Sequence, residues 1–195
     1  MRRKSGPFDP KKRKLINRIL TTISVLLFVA GGYLLIITIS PNANFIPSIN
    51  NLNTADDIGD NRNRLQIPQI DLEITYRSGG ADALNDGAWW RFPDRGNPVD
   101  GGNFILSAHR FYIGLTPQGT KEKSPFYRLE EINKGAEVRI FYDGAWYDYV
   151  ITERFQVEPN AVEIEDPSEE PILTMYTCTL GGSADGRIVL RATPK

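Results

Sequence analysis

The sequence predicts a mostly β domain, a closed or nearly closed barrel with little helix, carried behind one apolar helix. Three observations point there. Residues Ile19 to Ser40 contain no charge, short apolar runs spaced by turn residues fill the chain after Leu65, and Asp143-Gly144 separates two alternating segments. Several short strands divided by turns favour closure, because a barrel leaves no unpaired edge.

The apolar stretch comes first. Its residues 19–40, at a helical rise of about 1.5 Å, span roughly 33 Å, enough for a bilayer core. Gly31-Gly32 would weaken a helix in water but is tolerated in lipid, where the helix satisfies its own backbone. The basic cluster Lys11 to Arg18 precedes the span and none follows at once, so the N-terminus is expected inside and the body outside. A cleaved signal peptide is the competing reading, but its apolar core is typically shorter and Asn42-Ala43-Asn44 makes a poor cleavage site. The expected division is a basic cytoplasmic tail at 1–18, a membrane anchor at 19–40, a polar stalk at 41–63 and an extracytoplasmic β domain at 64–195. The stalk is expected from its Asn, Asp, Pro and Ser content.

Within the body, Leu65 to Tyr76 alternates apolar and polar residues, with Pro68 demanding a bulge or an edge. Phe104-Ile105-Leu106 is a buried-type run. Ser124-Pro125 is expected to cap one or two helical turns through Ile132. Ala136 to Tyr142 and Ala145 to Ile151 form a hairpin about Asp143-Gly144, a pair suited to positive φ. Pro171 to Cys178 and Arg187 to Thr193 supply two further strands.

Charge narrows the function. Eight basic residues and one acid, Asp9, precede residue 40, so the rest of the chain carries a net charge of about −8. An acidic body argues against nucleic acid as the main partner, since phosphate contacts need a basic face.

The chain holds one histidine and one cysteine, each closing a strand-like run: His109 ends Asn103-Phe-Ile-Leu-Ser-Ala-His, and Cys178 ends Ile172-Leu-Thr-Met-Tyr-Thr-Cys. Arg187 opens the next run. A lone cysteine in an exported chain is a buried thiol, an intermolecular link or a reactive group. Cysteine attacks as thiolate, and an unperturbed thiol with pKa about 8.5 is only a few per cent ionised at neutral pH. A neighbouring imidazolium and guanidinium would favour that ion, and the guanidinium could stabilise an oxyanion. Nucleophile, proton carrier and oxyanion clamp together suit acyl transfer. The plain alternatives stand beside this: Cys178 as a packed small apolar group, His109 as a hydrogen-bonded surface residue, Arg187 as a solvated edge charge.

The wording around these residues resembles the sortase family of cell-surface transpeptidases, from about Leu65 to Ala192. Leu65-Gln-Ile-Pro-Gln-Ile resembles the family's opening strand, and Gly101-Gly-Asn-Phe-Ile-Leu-Ser-Ala-His-Arg its histidine block. Phe126-Tyr-Arg-Leu-Glu with Lys134-Gly-Ala-Glu-Val resembles the lead into the central hairpin. Thr174-Met-Tyr-Thr-Cys-Thr is similar to the Thr-Leu-x-Thr-Cys signature, and Gly186-Arg-Ile-Val-Leu-Arg-Ala to the arginine strand. The resemblance implies a closed eight-stranded sortase barrel with His109, Cys178 and Arg187 as catalytic residues. It further implies a Leu-Pro-x-Thr-Gly-like sorting signal as substrate, a Cys178 thioester, and a cell-wall precursor or pilin amine as acceptor. Arg187 rather than Arg191 takes the third role, because the family's arginine precedes its Ile-Val run; Arg110 is a neighbour of His109 without a role. No cofactor is required, although acidic residues in the Glu153–Glu170 segment, where some members bind Ca²⁺, make calcium a secondary expectation beside a solvated acidic loop. Trp89-Trp90 is expected either to line a peptide groove or to pack in the core. The absence of an Asp-Pro-aromatic motif before Leu65 favours surface anchoring over pilus building. A cysteine hydrolase with the same trio, or a surface domain that binds a partner, remain the rival readings. A cysteine L,D-transpeptidase is disfavoured because no Ser-x-Gly-Cys wording surrounds Cys178.

Overall fold

The computed structural model describes residues 10–43 and 62–195. Its barrel closes through strands β1 (Arg64–Ile67), β2 (Leu72–Arg77), β3 (Ala88–Arg91), β5 (Gly101–Ser107), β6 (Glu137–Tyr142), β7 (Ala145–Val157), β8 (Ile172–Thr179) and β9 (Gly182–Pro194). Around the ring the order is β3-β2-β1-β6-β7-β9-β8-β5, and β5 pairs back onto β3. A two-residue strand, β4 (Gly96–Asn97), lies on β5 outside that ring of eight. Two pairings are parallel, β2 with β3 and β5 with β8; the rest are antiparallel.

Alternation along each strand sends one set of side chains inward. Phe104 and Leu106 of β5, Leu173 and Met175 of β8, and Leu190 and Ala192 of β9 join Leu65, Ile67, Ile74, Val138 and Ile140 in the interior. Phe104 is the hub, with its ring centroid 5.5 Å from both Tyr76 and Trp90 in edge-on contacts. A second small cluster, Ile105, Ile164, Tyr176 and Val189, sits on the outer face of the same three strands. Those strands are therefore covered on both sides, which is why they read as nearly continuous apolar runs.

Several expectations need correction. Pro68 marks neither a bulge nor an edge within one long strand. It opens a 3₁₀ turn, Pro68–Ile70, that reverses the chain so that β1 and β2 pair with each other. Ser124 does not cap a helix; its Oγ accepts from the Tyr112 N–H. The helix of this region is α2 (Pro117–Glu122), capped by Thr116, whose side chain accepts from the Gly119 N–H. Only a 3₁₀ turn, Leu129–Glu131, falls in the expected place. The hairpin at Asp143-Gly144 is present with positive φ at both residues, 49° and 77°. Strand β3, which closes the ring, was not expected, since Trp89-Trp90 read as aromatic packing. Its entry depends on Gly87 at φ 143°, where a Cβ would stand 2.2 Å from the Thr75 carbonyl oxygen.

The N-terminal helix, α1 (Pro10–Ile39), includes the basic residues Lys11–Arg18 as well as the apolar stretch. It is long and apolar enough to cross a membrane, and its side chains, Leu26, Leu27 and Phe28 among them, are largely exposed. The chain thus carries an N-terminal apolar helix suited to membrane anchoring. Its C-terminal end turns through Ser40–Asn42 and packs on α2, burying Ile37, Ser40, Pro41 and Ala43. The rest of the expected stalk, 44–61, and the first nine residues lie outside the described residues.

Phe104→Ala removes the hub of the interior and leaves a cavity bounded by Tyr76 and Trp90. It is expected to lower unfolding stability by about 3–5 kcal/mol, read as a shift of the urea midpoint with little change in slope.

Candidate active site

Strand register brings the predicted residues together. In the parallel pair β5–β8, Ser107 stands opposite Tyr176, so two residues further on His109 falls beside Cys178. In the antiparallel pair β8–β9, Cys178 stands opposite Arg187. The three lie in one row across adjacent strands, each step about 4.8 Å. All three side chains are partly buried and line the same cleft, with a volume of about 350 Å³.

The row lies on the outer face. Residues 105, 107 and 109, residues 174, 176 and 178, and residues 187 and 189 share it by alternation, with Ile105, Tyr176 and Val189 forming the outer cluster. Backbone contacts fix His109 from both sides. Its carbonyl accepts from the N–H of fully buried Phe126 at 3.1 Å. The preceding Ala108 carbonyl accepts from Thr177 Oγ1 at 2.8 Å. The Arg187 guanidinium is held by Nη1, which donates to the Ser183 and Gly186 carbonyls at 2.9 Å each.

Burial, the larger cause, and the nearby Lys123 cation both disfavour the imidazolium, holding His109 below the ordinary value of 6.5. The ring is therefore mainly neutral at pH 7. The unfolded chain takes up this proton more readily, so His109 contributes stability above pH 6.5 that is lost as pH falls below it. Its ring centroid lies 5.2 Å from that of Tyr112, and Lys123 Nζ lies 5.1 Å from the Tyr112 ring.

A roof over the floor strands comes from the connection between β7 and β8, which contributes Pro159, Ala161, Val162 and Ile164 to the cleft. Leu84 and Trp89 also line the cleft. Sequence reasoning missed what holds the roof. Glu165, only 8% exposed, meets Arg91 Nε at 2.7 Å and accepts from the Tyr176 hydroxyl at 2.5 Å. Arg95 donates to the Glu165 carbonyl. Buried Asn103 donates to the Ile164 and Asp166 carbonyls and accepts from Thr174 Oγ1 at 2.7 Å.

Glu153 belongs to β7 rather than to the covering loop, and Glu165 is a buried anchor rather than a solvated acid. Among the described residues no group of three or more carboxylates, histidines or cysteines gathers as a metal site would require. Arg191 pairs with Thr174, four residues from Arg187 along β9, and approaches Glu153 at 3.7 Å outside the cleft. Arg110 is buried against Glu130. Trp89 lines the cleft while Trp90 packs in the core, so each expected role falls to one of the pair.

Because the chain has one histidine, its ring resonances titrate without ambiguity. Lys123→Ala is expected to raise the His109 pKa, while burial, the larger cause, keeps it below 6.5. An unchanged or lowered midpoint in an NMR titration would remove Lys123 from the electrostatics of the cleft.

Comparison with known proteins follows the same outline. The family model described as a sortase domain matches residues 65–195. Sortase A of Streptococcus agalactiae serotype III (strain NEM316) is 33% identical over 132 residues, which are 66% of this chain and 50% of that protein. The chain thus matches about half the length of this curated relative. Among solved structures, a Clostridium perfringens sortase D5 transpeptidase aligns with TM-score 0.57 at 22% identity, over 69% of this chain and 78% of that one. Listeria monocytogenes sortase A aligns with TM-score 0.57 at 19% identity, over 68% and 86% respectively. Matched from its first barrel strand to its last residue, the chain belongs to the sortase family of transpeptidases.

Proposed function

We propose that this chain is a membrane-anchored cysteine transpeptidase acting on a C-terminal sorting signal of Leu-Pro-x-Thr-Gly type. The observation that carries the reading is the row His109, Cys178 and Arg187 on three adjacent strands, opening on one cleft. The apolar lining, Leu84 and Trp89 with Ala161, Val162 and Ile164, suits the leucine and proline of such a signal.

In this reading neutral His109 takes the Cys178 thiol proton and becomes the imidazolium, while Cys178 Sγ, now thiolate, attacks the threonine carbonyl carbon and a tetrahedral oxyanion forms. Arg187 stands beside that oxygen, one arm of its fork already fixed by Ser183 and Gly186, the others free to donate. The carbon–nitrogen bond breaks as His109 gives its proton to the departing amine, leaving a thioester on Cys178. An incoming amine from a cell-wall precursor or a pilin attacks the thioester, loses its proton to neutral His109, and the thiolate leaves. The depressed pKa of His109 makes its imidazolium a stronger acid in the first half and keeps the ring a ready acceptor in the second. No cofactor enters these steps.

The helix α1 would span the membrane over 19–40, with 1–18 cytoplasmic, 41–63 as a link and the barrel from 64 extracytoplasmic. The charge pattern, basic before the span and acidic after it, supports that orientation.

The test incubates the detergent-solubilised chain with sorting-signal peptides and an amine acceptor, and follows ligation by mass spectrometry. Cys178→Ala is expected to abolish ligated product, a loss of roughly 10³-fold or more. Arg187→Lys should keep the fold but lose about 10²–10³ in kcat, as for a removed oxyanion donor. Cleavage without ligation would favour a hydrolase. A folded chain with no Cys178-dependent product would defeat the reading.

A further inference from the structure

The chain leaves the cleft just behind His109 through a segment unusually apolar for a surface loop. Leu115 is 93% exposed and Ile113 63%, with Phe111 and Tyr112 also exposed. The backbone there is tied down rather than loose: the Tyr112 N–H donates to Ser124 Oγ at 3.0 Å, and the Gly114 N–H to Thr120 Oγ1 at 2.9 Å. Phe111 and Tyr112 rest partly on Tyr127 and His109, while Ile113 and Leu115 project outward from the fixed backbone.

What lies next to them is the anchor helix. The Tyr33 hydroxyl of α1 donates to the Leu115 carbonyl at 2.7 Å. Tyr33 precedes the end of α1 at Ile39 by six residues, about 9 Å along the axis. Beyond Tyr33, towards the barrel, Leu34, Leu35, Ile36 and Ile39 are still 45–64% exposed. A bilayer that covers these four therefore reaches past the level of the Leu115 carbonyl. The loop and the helix present one continuous apolar surface. At its rim, Lys123 Nζ stands over the Tyr112 ring, a cation above an aromatic as at a lipid headgroup boundary.

We propose that the Phe111–Leu115 loop enters the bilayer interface beside α1 and holds the cleft at the lipid surface. The inference rests on the reading of α1 as a membrane anchor, and its partner is the lipid itself. A protein partner would have to cover the loop and the helix face together, whereas the bilayer around α1 already reaches the loop. Since the Tyr112 ring neighbours His109, the consequence is a site that meets polypeptide as it leaves the membrane.

The test uses the full chain in phosphatidylcholine–phosphatidylglycerol vesicles. In a Cys178→Ala background, a nitroxide is attached through Ile113→Cys, Leu115→Cys, Leu26→Cys in mid-helix or Asp143→Cys at the hairpin tip. Collisions with oxygen and with a water-soluble nickel chelate then give depth. The 113 and 115 labels are expected roughly 5–10 Å below the headgroups, the 26 label deeper and the 143 label in water. Aqueous readings at 113 and 115 with a deep reading at 26 would overturn the loop's role and leave the anchor standing. Shielding of 113 and 115 from both reagents would overturn it in favour of a protein partner or a second copy. An aqueous reading at 26 would overturn both. Leu115→Trp with Cys178 intact gives an independent readout. Quenching by brominated lipid above that of the parent chain supports insertion, and equal quenching opposes it.

Discussion

The parallel pairing of β5 with β8 is the constraint on which the rest depends. It joins residues nearly seventy apart in sequence, and everything between them serves as its crossover: α2, the β6–β7 hairpin and the roof. Register is the critical quantity. A slip of β5 by one residue against β8 would turn Ile105 inward and Phe104 outward, setting each against the wrong apolar cluster. The same slip would carry His109 off the row with Cys178. Register is therefore enforced by burial on both faces, and the site inherits its geometry from the core.

Asn103 and Glu165 extend that constraint to the roof. A connection between strands carries backbone groups that must be satisfied, and over a cleft few partners are available. Asn103, on β5, supplies two donors to the roof carbonyls, and Arg91 with Tyr176 fixes the carboxylate of Glu165 from below. Removing one member of such a buried pair generally costs about 3–5 kcal/mol. The walls are thus preformed: a substrate entering the cleft meets fixed apolar surfaces, and its binding need not order the loop first.

The strands carrying His109, Cys178 and Arg187 were legible because His109 and Cys178 each close an apolar run and Arg187 opens one, and the hairpin because Asp143-Gly144 leaves few conformations. Strand β3 was hidden for a physical reason. It is four residues long, and its two indoles face opposite sides, one the core and one the cleft, so aromatic content alone said nothing of alternation. The β1–β2 reversal was hidden because alternation resumes at once beyond the turn, from Ile70 through Leu72 to Ile74, and only Pro68 and a one-residue change of phase after Ile67 mark it. Glu165 was indistinguishable in sequence from the solvated acids around it. Its role is set by Arg91, seventy-four residues away, and no local pattern encodes that pairing.

The location of the site follows from where cover ends. Along the outer face of β8, Thr174 is buried against Asn103 and Tyr176 against Glu165, but Cys178, the next residue of the row, is only partly covered. Along β5, Ile105 is buried and His109 partly open in the same way. A thiol deeper in the row would be an inert packing group, and one further out would lack the guanidinium and imidazole beside it. In the mechanism proposed above, that thinning of cover would leave Cys178, rather than a residue earlier in the row, open to a substrate carbonyl.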